Sequence, residues 1–176
     1  MPNNLSEQNK IDFFNKNGYL IISDLFSNKE INDLINKLKS VFDISNLSEE
    51  EISSSQKSYK LTDGITKNKS LWGVITNEKI LKFTKLILRD EICYAQHSDL
   101  HINNRGGRFH RDSRCRVFGI GSDWNEQKDR YGIVRVAIYL TDYEKSNSSL
   151  IIFPGSHKYE NWLQKFEFRL LNKFIS

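Results

Sequence analysis

The sequence predicts one domain in which helices come first and strands follow, either an α+β fold or an antiparallel barrel. In the segments before residue 43 and again from about residue 77 to residue 89, apolar residues recur at intervals of three and four, and from residue 91 the apolar period becomes two. Short polar turns separate the alternating segments, as they do in antiparallel sheets. Because 176 residues suffice for one core of modest size, we assign residues 1–176 to a single domain.

The composition narrows the class of protein. The net charge is +4, and basic residues are interleaved with acidic ones, so we expect no nucleic-acid partner. The longest apolar runs have four or five residues, as in Leu150 to Phe153, whereas a membrane span needs about 20, so we expect no membrane insertion. With no secretory signal pattern at the N-terminus and only Cys93 and Cys115, which need not pair, the sequence indicates a cytoplasmic protein. It leaves the oligomeric state open.

The N-terminal part carries helix boundaries that are visible in the sequence. A helix is expected over residues 7–16, ending at Gly18, because glycine readily supplies the left-handed residue after a helix. A short strand is expected from Tyr19 to Ile22. Ser27 and Glu30 then have the S-x-x-E spacing of a capping box, and apolar residues at helical intervals follow them.

Residues 43–72 are predicted to form a mobile loop or lid within the domain. They are largely polar and lack a sustained period, so they are expected to bury little surface to offset the entropy cost of ordering. The segment contains a second capping-box spacing at Ser48 and Glu51 and a turn at Thr62-Asp63-Gly64. A further helix is expected from about Asn77 to Arg89.

Extended segments separated by turns follow the last predicted helix. Strands are expected over residues 92–103, 109–118, 133–141 and 150–153, and Pro154-Gly155 form a turn after the last of them. Side chains two positions apart point to the same face of a strand, so the alternating segments 92–103 and 133–141 each have two different faces.

His110-Arg111-Asp112 is the sharpest chemical feature of the chain. On a strand, an imidazole and a carboxylate at positions i and i+2 can converge on one metal ion. Two such ligands and one distant His form the facial triad of non-haem Fe(II) oxygenases. H-x-D by itself also describes an ordinary solvated pair at the end of a strand.

Four landmarks around this pair occur in the order and spacing of a known family, and from about residue 10 to residue 160 the chain resembles the phytanoyl-CoA dioxygenase family. The landmarks are Phe13-Phe14 followed by Gly18-Tyr19-Leu20-Ile21-Ile22; Gly106-Gly107-Arg108-Phe109-His110-Arg111-Asp112; Arg135-Val136-Ala137-Ile138-Tyr139-Leu140-Thr141-Asp142; and Leu150-Ile151-Ile152-Phe153 with Pro154-Gly155-Ser156-His157-Lys158.

The resemblance implies a mainly β fold, a double-stranded β-helix or jelly-roll, cupin-like barrel with N-terminal helices packed outside. It implies Fe(II), 2-oxoglutarate and O₂ as cofactor and co-substrates, with ascorbate as a reductant. The implied reaction hydroxylates an unactivated C–H bond of a small organic substrate and releases succinate and CO₂. His110 and Asp112 match the first two iron ligands of the family, and the carboxylate at 112 disfavours the halogenating relatives.

The chain departs from the family pattern after the P-G-S-H turn. In the family, a third iron ligand and an Arg that clamps 2-oxoglutarate lie downstream of that turn. In this chain no His follows His157, and Arg169 is the only Arg after the turn. We therefore expect a barrel without its last strands, unpaired strand edges, weak Fe(II) binding and little turnover by the 176 residues. The alternative function is a truncated, non-catalytic remnant or metal-binding module of the same fold.

The sequence allows two interpretations of the role of several other residues. His157 is a substitute third ligand or a residue of the turn alone. His97, Asp99 and His101 share one face of a predicted strand, where they form either a rival metal site or a polar, substrate-facing row. Arg135 and Tyr139 share another face and are candidates for binding 2-oxoglutarate, although Arg135 equally fits an ion pair at the rim.

Overall fold

The computed structural model describes residues 6–55, 57–95, 98–103, 124–125, 130–141 and 150–158. The helices in these residues are α1 (Glu7–Asn17), α2 (Asn28–Val41), α3 (Glu49–Ser54), α4 (Gly64–Lys67), α5 (Trp72–Ile75) and α6 (Glu78–Leu88). The strands are β1 (Tyr59–Leu61), β2 (Leu100–Ile102), β3 (Trp124–Asn125) and β4 (Arg130–Tyr131), and 3-10 turns occupy Lys69–Leu71 and Ser156–Lys158.

Helix α1 begins and ends where the sequence predicts. The Ser6 hydroxyl accepts a hydrogen bond from the Asn9 backbone N–H at the N-terminus. At the other end Gly18 is left-handed, with φ of 79°, and its N–H donates to the Phe14 carbonyl over 2.7 Å. The expected helix and its glycine cap are therefore confirmed.

Capping boxes start both α2 and α3, as predicted from the S-x-x-E spacing. In α2 the Glu30 carboxylate accepts a hydrogen bond of 2.7 Å from the Ser27 backbone N–H, and the Ser27 hydroxyl accepts one from the Glu30 backbone N–H. Ser48 and Glu51 make the same reciprocal pair in α3. Hydrogen bonds from the Ser27 backbone and hydroxyl hold the pKa of Glu30 below its usual range.

Helix α6 connects the N-terminal helices to one another. Asn77 caps it, and its Lys79 ammonium donates to the Leu25 carbonyl over 2.9 Å, just ahead of α2. On the side facing α1, Lys82 pairs with Glu7, and the Lys10 ammonium lies 5.4 Å from the centre of the Phe83 ring. These contacts join α1 to α6.

Four apolar side chains of the described residues are buried: Ile44, Ile52, Leu71 and Ile87. The first three belong to residues 43–72, and Leu71 is the most buried, at 2% exposure. This segment also contains α3, β1 and α4. The expectation that it buries little surface is thus corrected, because single apolar residues reach the core from a connecting turn, a short helix and a 3-10 turn, none of which has a visible period. Its mobility stays a prediction.

Among the described residues, the strands form two antiparallel pairs. β1 pairs with β2, with Lys60 opposite His101, and β3 pairs with β4. The predicted strand over 92–103 is shorter than expected: β2 covers Leu100–Ile102, and residues 96–97 lie outside the described part.

The structure assigns no strand to three described segments for which the sequence predicts one: 19–22, 133–141 and 150–153. Alternation and short apolar runs indicate an extended chain, but a strand also needs a neighbour that completes the hydrogen-bond ladder. The predicted strand over 109–118 lies outside the described residues. The jelly-roll barrel therefore stays a prediction.

Within the described ranges, no helix combines the length and the apolar character that crossing a bilayer requires.

Candidate functional site

The predicted iron pair lies in a part of the chain that the structure does not describe. His110 and Asp112, together with His97 and Arg169, are outside the described residues. In the parts that are described, no group of three or more His, Cys, Asp and Glu side chains is arranged to hold a metal ion. The convergence of His110 and Asp112 in one pocket therefore remains a prediction from their i, i+2 spacing.

A charged cluster lies on the strand pair that precedes this region. One carboxylate oxygen of Asp99, Oδ2, is 3.4 Å from the Lys60 ammonium and 3.7 Å from His101 Nε2. Lys60 and His101 face each other across the β1–β2 ladder. Asp99 and His101 are thus brought together as the sequence predicts, and Lys60 joins them because the ladder register places it there.

The start of β2 is attached to α4. The N-terminal amides of α4 are capped from the distant Ser98: the Gly64 N–H donates to its carbonyl over 2.7 Å, and the Ile65 N–H donates to its hydroxyl over 3.3 Å. A Cβ at Gly64 would overlap the Leu100 side chain, so glycine permits the close approach of the two segments.

Asn103 secures the other end of β2, a role that was not predicted from the sequence. Its amide donates to the Ile52 carbonyl over 2.6 Å and to the Lys57 carbonyl over 3.2 Å, joining the strand end to α3 and to the start of β1. The residue is left-handed, with φ of 51°, a conformation that Asn tolerates better than most residues. Asn directly after an alternating run was the available signal. Three residues later the chain reaches Gly106-Gly107, the turn before the predicted iron pair.

The structure places His157 at the C-terminal end of α1. Its Nε2 is 3.1 Å from the Asn15 carbonyl oxygen, and its ring lies where a side chain at Gly18 would project. The Gly155 N–H donates to the Asn17 carbonyl over 2.8 Å. The predicted turn at Pro154-Gly155 is confirmed, and it is packed against the first helix of the chain.

Arg135 and Tyr139 lie in the described segment 133–141, and both are exposed; 55% of Tyr139 is accessible. The expected common face of the two side chains depends on a strand that the structure does not assign. Their role in binding 2-oxoglutarate stays a prediction.

Comparison with known proteins identifies the family but no individual relative. Neither the curated proteins nor the solved structures give a match to this chain. The family model described as phytanoyl-CoA dioxygenase matches residues 14–172. That range includes the H-x-D pair, the P-G-S-H turn and most of the chain, and such membership supports oxygenase chemistry of the iron and 2-oxoglutarate type. The chain belongs to the phytanoyl-CoA dioxygenase family.

Proposed function

We propose that the protein is an Fe(II)- and 2-oxoglutarate-dependent dioxygenase that hydroxylates a C–H bond of a small organic substrate. The observation that carries the proposal is the family match over residues 14–172, which contains an imidazole and a carboxylate two positions apart at 110 and 112. This donor set suits Fe(II), for which two His and one carboxylate on one face of the ion leave positions open for other ligands.

In this proposal His110 and Asp112 hold the metal. Bound Fe(II) would supply the activation of O₂ that is coupled to decarboxylation of 2-oxoglutarate. Arg135 is proposed to bind a carboxylate of 2-oxoglutarate through paired N–H donors, and Tyr139 to donate its hydroxyl to the same group. Each of these residues acts through charge or hydrogen bonding, so each role is open to a conservative substitution.

The described part of the structure supports the proposal through its organisation. Ser98 and Asn103 hold both ends of β2 by hydrogen bonds to α4, to α3 and to Lys57 just before β1, and Asn103 stands seven positions before His110. A metal site needs ligands whose backbone is held in place, because loosely held ligands lose affinity. Anchoring at this position is what an iron site at 110–112 would require.

Metal binding by the purified 176-residue chain tests the proposal directly. We expect Co(II), used as a spectroscopic substitute for Fe(II), to bind the wild-type chain, and Asp112→Ala to weaken that binding by about tenfold or more. Asp33→Ala is the matched control, since Asp33 is an exposed acid of α2 that pairs with Lys37. Equal affinity in the Asp112 variant and the wild-type chain would contradict the assignment.

Turnover separates the enzyme from its alternative. With Fe(II), ascorbate and 2-oxoglutarate, we expect the 176-residue chain to release succinate and CO₂ in small amounts only, because no His follows His157 in it, and we expect Asp112→Ala to abolish the release. Metal binding that depends on Asp112, without succinate release under any condition, would identify a metal-binding module of the same fold.

A further inference from the structure

Two landmarks from opposite ends of the chain meet in one contact, which we name the α1 clasp. It consists of Asn15, Asn17 and Gly18 at the end of α1 together with Gly155 and His157 of the P-G-S-H turn. Two hydrogen bonds cross it, from the Gly155 N–H to the Asn17 carbonyl over 2.8 Å and between His157 Nε2 and the Asn15 carbonyl at 3.1 Å.

The clasp supplies partners to the end of a helix. The last four carbonyls of an α-helix lack intrahelical donors, and Asn15 and Asn17 are both in the last turn of α1. A carbonyl oxygen only accepts, so the hydrogen between His157 and Asn15 belongs to Nε2. An imidazole nitrogen that carries a hydrogen and donates it has no lone pair left for a metal ion.

The absence of a side chain at Gly18 makes room for the His157 ring in the same contact. A Cβ there would overlap the imidazole of His157, with Nδ1 as the nearest atom, so this side of the ring lies against the Gly18 backbone. The φ of 79° at Gly18 is a separate reason for glycine. The two reasons can be separated by experiment, because only the first depends on the ring of His157.

We propose that His157 is a positioning residue that attaches the turn after residues 150–153 to the end of α1, and that it is not an iron ligand. Its Nε2 donates to the Asn15 carbonyl oxygen, and its Nδ1 lies against the Gly18 backbone. The statement that His157 is not an iron ligand rests on the proposed function, whereas its positioning role does not. If His110 is an iron ligand, the remaining histidines of the 176 residues are His97 and His101.

A double-mutant cycle in the full chain tests the clasp without any metal. Gly18→Ala in the wild-type chain introduces both backbone strain and overlap with the ring, whereas in a His157→Ala chain it introduces the strain alone. We expect Gly18→Ala to lower the folding equilibrium constant about tenfold more in the first background than in the second. Additive effects of the two substitutions would overturn the proposal.

A conservative substitution keeps the test decisive if the double variant fails to fold. Glutamine carries an amide N–H near the position of His Nε2, so we expect His157→Gln to recover most of the stability lost in His157→Ala. If the hydrogen bond to Asn15 contributes nothing, His157→Gln and His157→Ala lose the same stability. That result would also overturn the proposal.

Co(II) titration decides whether His157 is a ligand. We expect His157→Gln to bind Co(II) within about twofold of the wild-type chain, since ligand removal costs about tenfold or more. A loss of that larger size would show that His157 holds the metal. If the wild-type chain binds no Co(II), the proposed function fails, and the coupling between Gly18 and His157 alone decides the clasp.

Discussion

The N-terminal helical region and the two extended segments near the other end bury their apolar residues to very different extents. Ile44 is 5% exposed and Leu71 is 2% exposed, whereas Leu150 and Ile151 are 62% and 63% exposed. A helix satisfies its backbone within itself and needs one packed face: α1 lies against α6, and α2 lies against the 3-10 turn Lys69–Leu71. An extended segment needs a partner along at least one edge and a covering layer on one face before its apolar residues are buried.

Truncation of a core residue is the largest effect that this comparison predicts. Leu71→Ala should lower the free energy of unfolding by about 2–5 kcal/mol, because it removes buried methyl groups and leaves a cavity. Ile151→Ala is the matched control and should change it by less than about 0.5 kcal/mol, since that side chain is 63% exposed. Urea denaturation measures both. A loss at Ile151 as large as that at Leu71 would mean that the extended segment is packed in solution.

Asn103→Gly should have the next largest effect. Glycine keeps the left-handed backbone and removes only the amide, so the variant isolates the hydrogen bonds to Ile52 and Lys57. We expect a loss of about 1–3 kcal/mol, since carbonyls that lose a donor in a partly buried place are costly. Chemical denaturation measures the loss, and Asn9→Gly, in the exposed first turns of α1, shows what glycine costs in a helix.

Removal of a capping hydroxyl should cost less. Ser27→Ala takes away the acceptor for the Glu30 N–H at the start of α2, and we expect a loss of about 1 kcal/mol. Ser48→Ala makes the same change at the shorter α3. Thermal unfolding followed by far-ultraviolet circular dichroism compares the two, and no change in either variant would mean that the boxes do not persist in solution.

The pH dependence of the α2 box should be the smallest effect. The folded-state pKa of Glu30 is lowered, so the box contributes its full stability above the usual carboxyl pKa of about 4.3 and loses it as pH falls through the lowered value. Glu30→Gln should therefore lose stability relative to the wild-type chain near neutral pH and differ less from it in acid. A difference that grows in acid would contradict this sign.

Helices α1, α2 and α6 were predictable because their signals are local. Ser27 and Asn77 stand at helix starts, and Gly18 stands at a helix end, so a few neighbouring residues determine these boundaries. The extended segment 133–141 was predicted as a strand from alternation, and 150–153 from a short apolar run between two turns. Neither pattern carries information about a partner strand. Leu71 and Asn103 were missed because their burial and their hydrogen bonds depend on residues that are distant in sequence.

The candidate site was predictable to a similar extent. The proximity of Asp99 and His101 follows from their i, i+2 spacing, while the addition of Lys60 depends on the register of β1 against β2. The attachment of His157 to Asn15 and Gly18 could not be read from either motif alone, since each motif explains itself locally as a turn or a helix end.

The α1 clasp has a consequence for the order of folding during synthesis. Asn15 and His157 are 142 positions apart, so at roughly 5–20 residues per second the ribosome makes the second partner roughly 7–28 s after the first. Helix α1 forms in microseconds or less. The carbonyls at its end therefore lack the Gly155 and His157 donors during all the seconds that synthesis of residues 16–157 takes. Contacts of such high sequence separation also carry a large loop-closure cost and slow folding. Contacts with α6 hold α1 much earlier, but the carbonyls at the end of α1 gain their partners only when residues 155–157 arrive, and until then this end is accessible to chaperones or to other nascent chains.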